Sequence, residues 1–215
     1  MNLRLYHYWR SSSSWRVRLA LAHKKVSAEM VAVSLLDGES ESDSHRSRNP
    51  LGFVPVLEFL DETNPKKRYL AESLPMIEWL EETYPEYPLL PHDRYDRALV
   101  RSLAEIVNSE IHPLQNLTTQ LHYSLDPEKR KEWAQHWISE GLRAYEKLAS
   151  PGAGNFSFGD ALTSADLCLY PQLYNAKRFE VSLEPFPTLE RILKHAEANL
   201  PIYQKTHPSV YEPRS

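Results

Sequence analysis

Four consecutive hydroxyls, Ser11 to Ser14, stand between Arg10 and the run Trp15-Arg-Val-Arg18. The residues before them alternate as a half-buried strand, Leu3-Arg-Leu-Tyr-His-Tyr8. Those after them carry Val17, Leu19, Ala20, Leu21 and Ala22 on a helical pattern. The hydroxyls therefore sit where a helix begins, beside backbone N–H groups that have no partner inside the helix and that favour negative charge. Two readings compete. Serines cap helices and populate loops, which composition alone favours; the same turn could also hold an anion. Arg16 and Arg18 read most simply as partners in surface or intradomain salt bridges.

Other chemistry is narrowed by what the chain contains. A single cysteine, Cys168, lies in the apolar run Ala165-Asp-Leu-Cys-Leu-Tyr170 and reads as a small core residue. Nine histidines show no i, i+4 pair and no metal-binding Cys-His spacing, so no metal is expected. Six glycines leave no phosphate-cradling loop. A formal net charge of −4 gives no basic excess for nucleic acid. No signal-like segment and no span of about 20 apolar residues is present, which predicts a soluble, cytoplasmic protein with no membrane partner.

The elements that must position these residues change character along the chain. After the first strand and helix, Met30-Val-Ala-Val33 reads as a second strand, completing a β-α-β unit with a right-handed crossover. Residues 36–49 look like a surface loop with room for a short helix. Val56–Leu60 and Arg68–Leu70 then read as a hairpin around the turn-rich 61–67, and Ser73–Tyr84 as a helix with Ser73 at its cap and Pro75 in its first turn. Three prolines in residues 85–91 stop helices and stiffen the chain. Helical patterning resumes over 93–121, 127–149, 163–176 and 187–198, ahead of a polar, proline-containing tail. The organisation predicted is thus an α/β domain over 1–84, a linker over 85–92 and an all-α domain over 93–215. One helix start is heavily specified: Thr163 caps, Asp166 reaches back, and Leu162 and Leu167 staple.

The serine cluster in its setting, YWR followed by SSSSWRVRLAL, resembles the SSCSWRVR-type signature of zeta-class glutathione transferases. The likeness continues in order through NPLGFVPVLE, AESLPMIEWLEE, IHPLQNL and FGDALTSADLCLYPQLYNAKRF, so it spans nearly the whole chain. It implies the cytosolic glutathione transferase fold, a thioredoxin-like α/β N-terminal domain that holds glutathione plus an all-α C-terminal domain that supplies much of the second-substrate pocket. It implies a cis bond at Val54-Pro55 presenting backbone groups to the cysteinyl unit. Glu72 and Ser73 would grip the γ-glutamyl ammonium and carboxylate. His112 and Asn116 would add contacts from the helical half, where Gln115 and Leu117 share their motif. A homodimer is also implied.

The activity implied is maleylacetoacetate isomerisation, in which the glutathione thiolate adds to the cis double bond, the bond rotates, and loss of the thiolate gives fumarylacetoacetate and regenerates the cofactor. A free thiol of pKa about 8.5 is only a few per cent ionised at neutral pH. Lowering it by about two units takes roughly 2.7 kcal/mol. A helix start contributes typically ~0.3–1 kcal/mol, and a hydrogen bond to the charged sulfur about 1.5–3 kcal/mol. Ser11 is the first choice for that donor, with Ser12 and Ser13 as neighbours in the turn. The substrate is a dicarboxylic keto acid, for whose carboxylates Arg10 and Arg178 are the candidate partners. Ser13 stands where the signature has Cys, which keeps open maleylpyruvate, conjugation or dehalogenation of α-halo acids, and a binding module without chemistry.

Overall fold

Period-two alternation sets the sheet. The computed structural model describes residues 2–60 and 67–213, and in it Leu3 and Leu5 of strand β1 (Asn2–His7) point to one buried face while Tyr6 turns to the other. Helix α1 (Ser12–His23) crosses over to β2 (Glu29–Ala32), which pairs parallel to β1. A short helix, α2 (Asp43–Arg46), interrupts the loop that follows. Strand β3 (Val56–Leu60) pairs antiparallel to β1 and to β4 (Arg68–Ala71), and α3 (Ser73–Thr83) comes next. The sheet order is β2-β1-β3-β4. Leu5 faces Leu57 in register, and Tyr6 faces Val56, so both faces are apolar and both are covered. The turn expected between β3 and β4 lies, but for Lys67, outside the described residues.

The second unit is helical: α4 (Arg94–Glu105), α5 (His112–Gln115), α6 (Leu117–Tyr123), α7 (Pro127–Ala149), α8 (Ser164–Arg178) and α9 (Pro187–Asn199). The helix expected to run unbroken from 93 to 121 widens into a π-helical stretch over Ile106–Ile111 and turns at Asn116. Pro113 explains the widening, because it has no N–H to return and its ring crowds the preceding turn. Gly141 of α7 receives this bulge: a Cβ there would meet Ile111 Cγ1 at 2.1 Å. The specified start of α8 forms as expected. Asp166, wholly buried, accepts from Thr163 N–H at 2.8 Å, from its hydroxyl at 2.9 Å and from Ser157 N–H at 2.7 Å. Cys168 is fully buried beside it.

The compact units differ from the expected boundaries at the chain's end. One comprises the residues up to Pro88 together with those from Pro201 onward, the other Leu89–Leu200. The tail that was expected to close the helical half instead forms α10 (Pro201–Thr206) and α11 (Pro208–Tyr211) and packs in the first unit. Its physical anchors are specific. Trp15 Nε1–H donates to Thr206 Oγ1 at 2.9 Å, and the Trp15 ring meets Tyr203 and His207 at 5.4 and 5.2 Å. No described helix is long and apolar enough to cross a membrane.

Candidate active site at one end of the sheet

Strand register gathers residues that are far apart in sequence. Tyr6 pairs with Val56, and Val56 with Ala71. The end of β1, the start of β3 and the end of β4 therefore share one end of the sheet. The Ser11 turn follows β1 there, Val54-Pro55 precedes β3, and Glu72-Ser73 follows β4. With neighbouring strands ~4.8 Å apart, the line from β1 to β4 across β3 measures about 10 Å.

The serines of the cluster differ in burial and in hydrogen bonding. Ser11 is the N-cap of α1: its Oγ accepts from Ser14 N–H at 3.2 Å, while its own N–H donates to Tyr8 O at 3.1 Å. Because the Ser11 oxygen accepts from the helix, its proton remains to donate elsewhere. Ser12 is buried at the first helical position and Ser13 is half-buried. Ser14, fully buried, accepts from Tyr8 N–H at 3.4 Å and so ties the strand end to the helix. Val54-Pro55 is cis, as the family resemblance implied.

Ser73 is not the cap of α3. Glu72 holds that position with φ 68°, a left-handed conformation unusual for a residue with a Cβ. Ser73 is therefore the first helical residue, buried, and its Oγ accepts from Arg16 Nη1–H at 3.2 Å. That bond joins the second turn of α1 to the first turn of α3, and again leaves a hydroxyl proton to donate. The two helix starts share an electrostatic feature. The long helices of the other unit place an acid in the first turn: Asp96, Glu128, Asp166 and Glu190. Helices α1 and α3 place none within that turn, although Glu72 stands at the N-cap of α3.

Of the surface or intradomain salt bridges expected for Arg16 and Arg18, the surface placement is overturned. Both are buried, at 0 and 1% exposure. Arg18 donates to Trp9 O at 3.0 Å, Tyr8 O at 3.4 Å, Thr206 O at 3.3 Å and His7 Nδ1 at 3.2 Å. Burial lowers its pKa to about 10, and burial, then the Arg18 charge, lowers His7 to about 4. A partial signal for this burial was present in the sequence: Trp15, Val17, Leu19, Ala20 and Leu21 are spread round α1 rather than gathered in one stripe, as in a helix covered on several sides.

Arg10 is half-buried beside the Trp9 ring, its Cζ 5.3 Å from the ring centroid. The remaining expected site residues belong to the helical unit. His112 opens α5 and is half-buried. Asn116 caps α6, accepting from Thr118 N–H at 3.1 Å. Gln115, from the same motif, is buried and exchanges two amide hydrogen bonds with Gln172 at 2.8 and 2.9 Å, a structural role. Arg178 ends α8, exposed, donating to Asn175 Oδ1 at 3.1 Å.

Comparison with known proteins bears on the family of the chain. The family model of the glutathione S-transferase N-terminal domain matches residues 5–88, and that of the C-terminal domain matches residues 113–204. A probable maleylacetoacetate isomerase 2 of Drosophila melanogaster is 45% identical over 207 residues, covering 95% of this chain and 87% of its own. The crystal structure of maleylacetoacetate isomerase from Anaeromyxobacter dehalogenans with glutathione bound in the active site is 48% identical, with a TM-score of 0.87 over 97% of this chain and 95% of that one. A maleyl pyruvate isomerase, a bacterial zeta-class transferase, is 38% identical with a TM-score of 0.89 and full coverage of both chains.

Proposed function

The chain belongs to the zeta class of the glutathione S-transferases, and on that premise we propose that it isomerises maleylacetoacetate to fumarylacetoacetate with glutathione as cofactor. The observation that carries the reading is the sheet end. Three groups suited to the three parts of glutathione lie along about 10 Å of adjacent strand ends, and a three-residue chain spans at most about 10–11 Å. Glutathione, when bound, supplies a sulfur nucleophile that is returned at the end of each cycle.

The chain's own groups divide the remaining work. Glu72 pairs with the γ-glutamyl ammonium, and Ser73 with the α3 start donates to its carboxylate. The Val54 backbone, ahead of Pro55, meets the cysteinyl unit. Ser11 donates its proton to the ionised sulfur, helped by the α1 start and by Ser12 and Ser13 in the same turn. His112 and Asn116 are further glutathione contacts proposed from their motif. Arg10 and Arg178 are the proposed partners of the substrate carboxylates, and charge on either oxygen end of the keto acid is met by a guanidinium fork. The protein is further proposed to act in the cytoplasm as a homodimer.

Ser13, where the signature carries Cys, together with the full-length likeness to a maleyl pyruvate isomerase, supports maleylpyruvate as the runner-up substrate for the same chemistry. Purified protein with glutathione and maleylacetoacetate should yield the trans isomer with no net loss of thiol. No product at high enzyme concentration would reject the assignment, and stoichiometric thiol loss with an α-halo acid would redirect it to dehalogenation.

A further inference from the structure

The tail of the chain returns to the strand-to-helix turn that carries Ser11. Arg18 stands between them, and its four hydrogen bonds divide into two sets. Two go to successive carbonyls of the loop that precedes Ser11, Tyr8 O and Trp9 O. The first of these is also the acceptor for Ser11 N–H. The others reach Thr206 O, in the tail, and His7 Nδ1, at the end of β1. The Tyr211 ring lies 4.6 Å from the guanidinium carbon and 5.3 Å from the His7 ring, so it roofs both. Thr206 is fixed in turn, accepting from Trp15 Nε1–H at 2.9 Å and donating to Ile202 O at 2.7 Å.

We propose that Arg18 is a positioning residue for thiol activation, holding the Tyr8–Ser11 turn through its carbonyls, and that the segment Pro201–Tyr211 is the lid that keeps this grip dry. A planar fork can hold several acceptors in fixed directions, which a flexible ammonium cannot. Among the described residues every hydrogen-bonding partner of this guanidinium is neutral, so it is not spent on an ion pair. With water excluded the hydrogen bonds to Tyr8 O and Trp9 O strengthen and the loop has one conformation. The Ser11 hydroxyl is then held where the sulfur needs it, and a displacement of the loop would weaken a hydrogen bond that acts only on the thiolate. Arg18 touches no reacting atom; it acts through Ser11. The role rests on the glutathione-thiolate reading of the site.

Three variants separate geometry from charge and from folding. Arg18→Met removes fork and charge, Arg18→Lys keeps the charge without the fork, and Tyr211→Ala opens the lid near the chain's end. For each, thiolate absorbance of bound glutathione is titrated against pH, glutathione Kd is measured by calorimetry, and the melting temperature is recorded. We expect the bound-thiol pKa to rise by about one unit in both Arg18 variants, a tenfold loss of thiolate below that pKa, with glutathione Kd moved by less than about tenfold, under 1.4 kcal/mol. Tyr211→Ala should move the thiol in the same direction by less. Unchanged thiol ionisation in a folded Arg18→Met, or full restoration by Arg18→Lys, would overturn the proposal. Should neither Arg18 variant fold, unaltered thiol ionisation in Tyr211→Ala would overturn it instead. The wild-type titration keeps the underlying reading distinct: ordinary thiol acidity there would defeat the thiolate site itself, whereas a lowered thiol without isomerase activity would defeat only the substrate assignment.

Discussion

Replacing Ser11 by alanine removes two things at once, and their sizes differ enough to be measured apart. The hydroxyl proton proposed to meet the thiolate is lost, at about 1.5–3 kcal/mol for a hydrogen bond to a charged group. At 1.36 kcal/mol per unit, the bound-thiol pKa should rise by about one to two units. The oxygen that accepts from Ser14 N–H at 3.2 Å is lost as well, an N-cap worth about 1 kcal/mol, which lowers the melting temperature of a chain this long by about 2–4 °C. Glycine at the same position costs the cap only a few tenths of a kcal/mol and lacks the donor equally. The assay is a pH titration of thiolate absorbance in the complex, alongside the pH dependence of kcat. Both variants should show the same rise in thiol pKa, with kcat reduced at neutral pH and recovering at higher pH, while only alanine loses the full increment of stability. Affinity should change little. A bound pKa near 6.5 against about 8.5 free strengthens binding at pH 7 only about fourfold, so losing that preference costs no more. A Ser11→Gly protein with wild-type thiol ionisation would refute the role of Ser11 and move attention to Ser12 or Ser13.

The buried Arg16 should matter to binding rather than to ionisation. Arg16→Met frees the Ser73 oxygen from the donor that orients it, and should raise glutathione Kd about tenfold, near 1.4 kcal/mol, with the bound-thiol pKa unmoved; a shifted thiol with normal Kd would contradict this division. His7 should give the fold an acid limb. It is held to about 4 by burial and then by the Arg18 charge and returns to about 6.5 on unfolding, so between those values the unfolded chain binds the extra proton. Stability is then full above about pH 6.5 and falls as pH drops toward 4, by up to about 3 kcal/mol. His7→Asn keeps an acceptor for Arg18 with no proton to gain, and should flatten urea-unfolding free energy across that window; an unaltered slope would reject the assignment.

Elements whose local signals agree with their burial were legible. Strand β3 was expected at Val56–Leu60 and forms there; α3 ends one residue before the expected Tyr84; the start of α8 carries its own hydrogen-bonding partners in Thr163 and Asp166. What was not legible depends on contacts between distant residues. Pro113 marks a disturbed helix, but spacing alone does not tell a stop from the π-helical widening that forms over Ile106–Ile111. The tail reads as polar, yet Tyr203, Thr206 and His207 follow the i, i+3, i+4 spacing of one helix face, and their partner Trp15 is nearly two hundred residues earlier. The serine turn shows the same limit in the site. On spacing alone Ser11 is a helix cap, and it is one. Its proposed second role is invisible to spacing because one hydroxyl can accept from the helix and donate to a ligand together.

Arg18 also bears on what the fold gives up for its site. A buried cation that, among the described residues, has no carboxylate partner carries a desolvation cost of several kcal/mol, and apolar residues of similar volume in such places are often neutral or stabilising. Helix α1 is buried on nearly every side, so a leucine or methionine would suit the place of Arg18, and a sequence shaped by stability alone would put one there. The guanidinium is instead spent on the carbonyls of Tyr8 and Trp9, the two residues that lead into the Ser11 turn. On the proposed mechanism the reacting sulfur arrives with the ligand, so Ser13 in place of a cysteine costs the site no nucleophile, and the chain's task is to hold donors still. A rigid loop is what that task requires, and a buried fork sealed by the chain's own end is a means of making one.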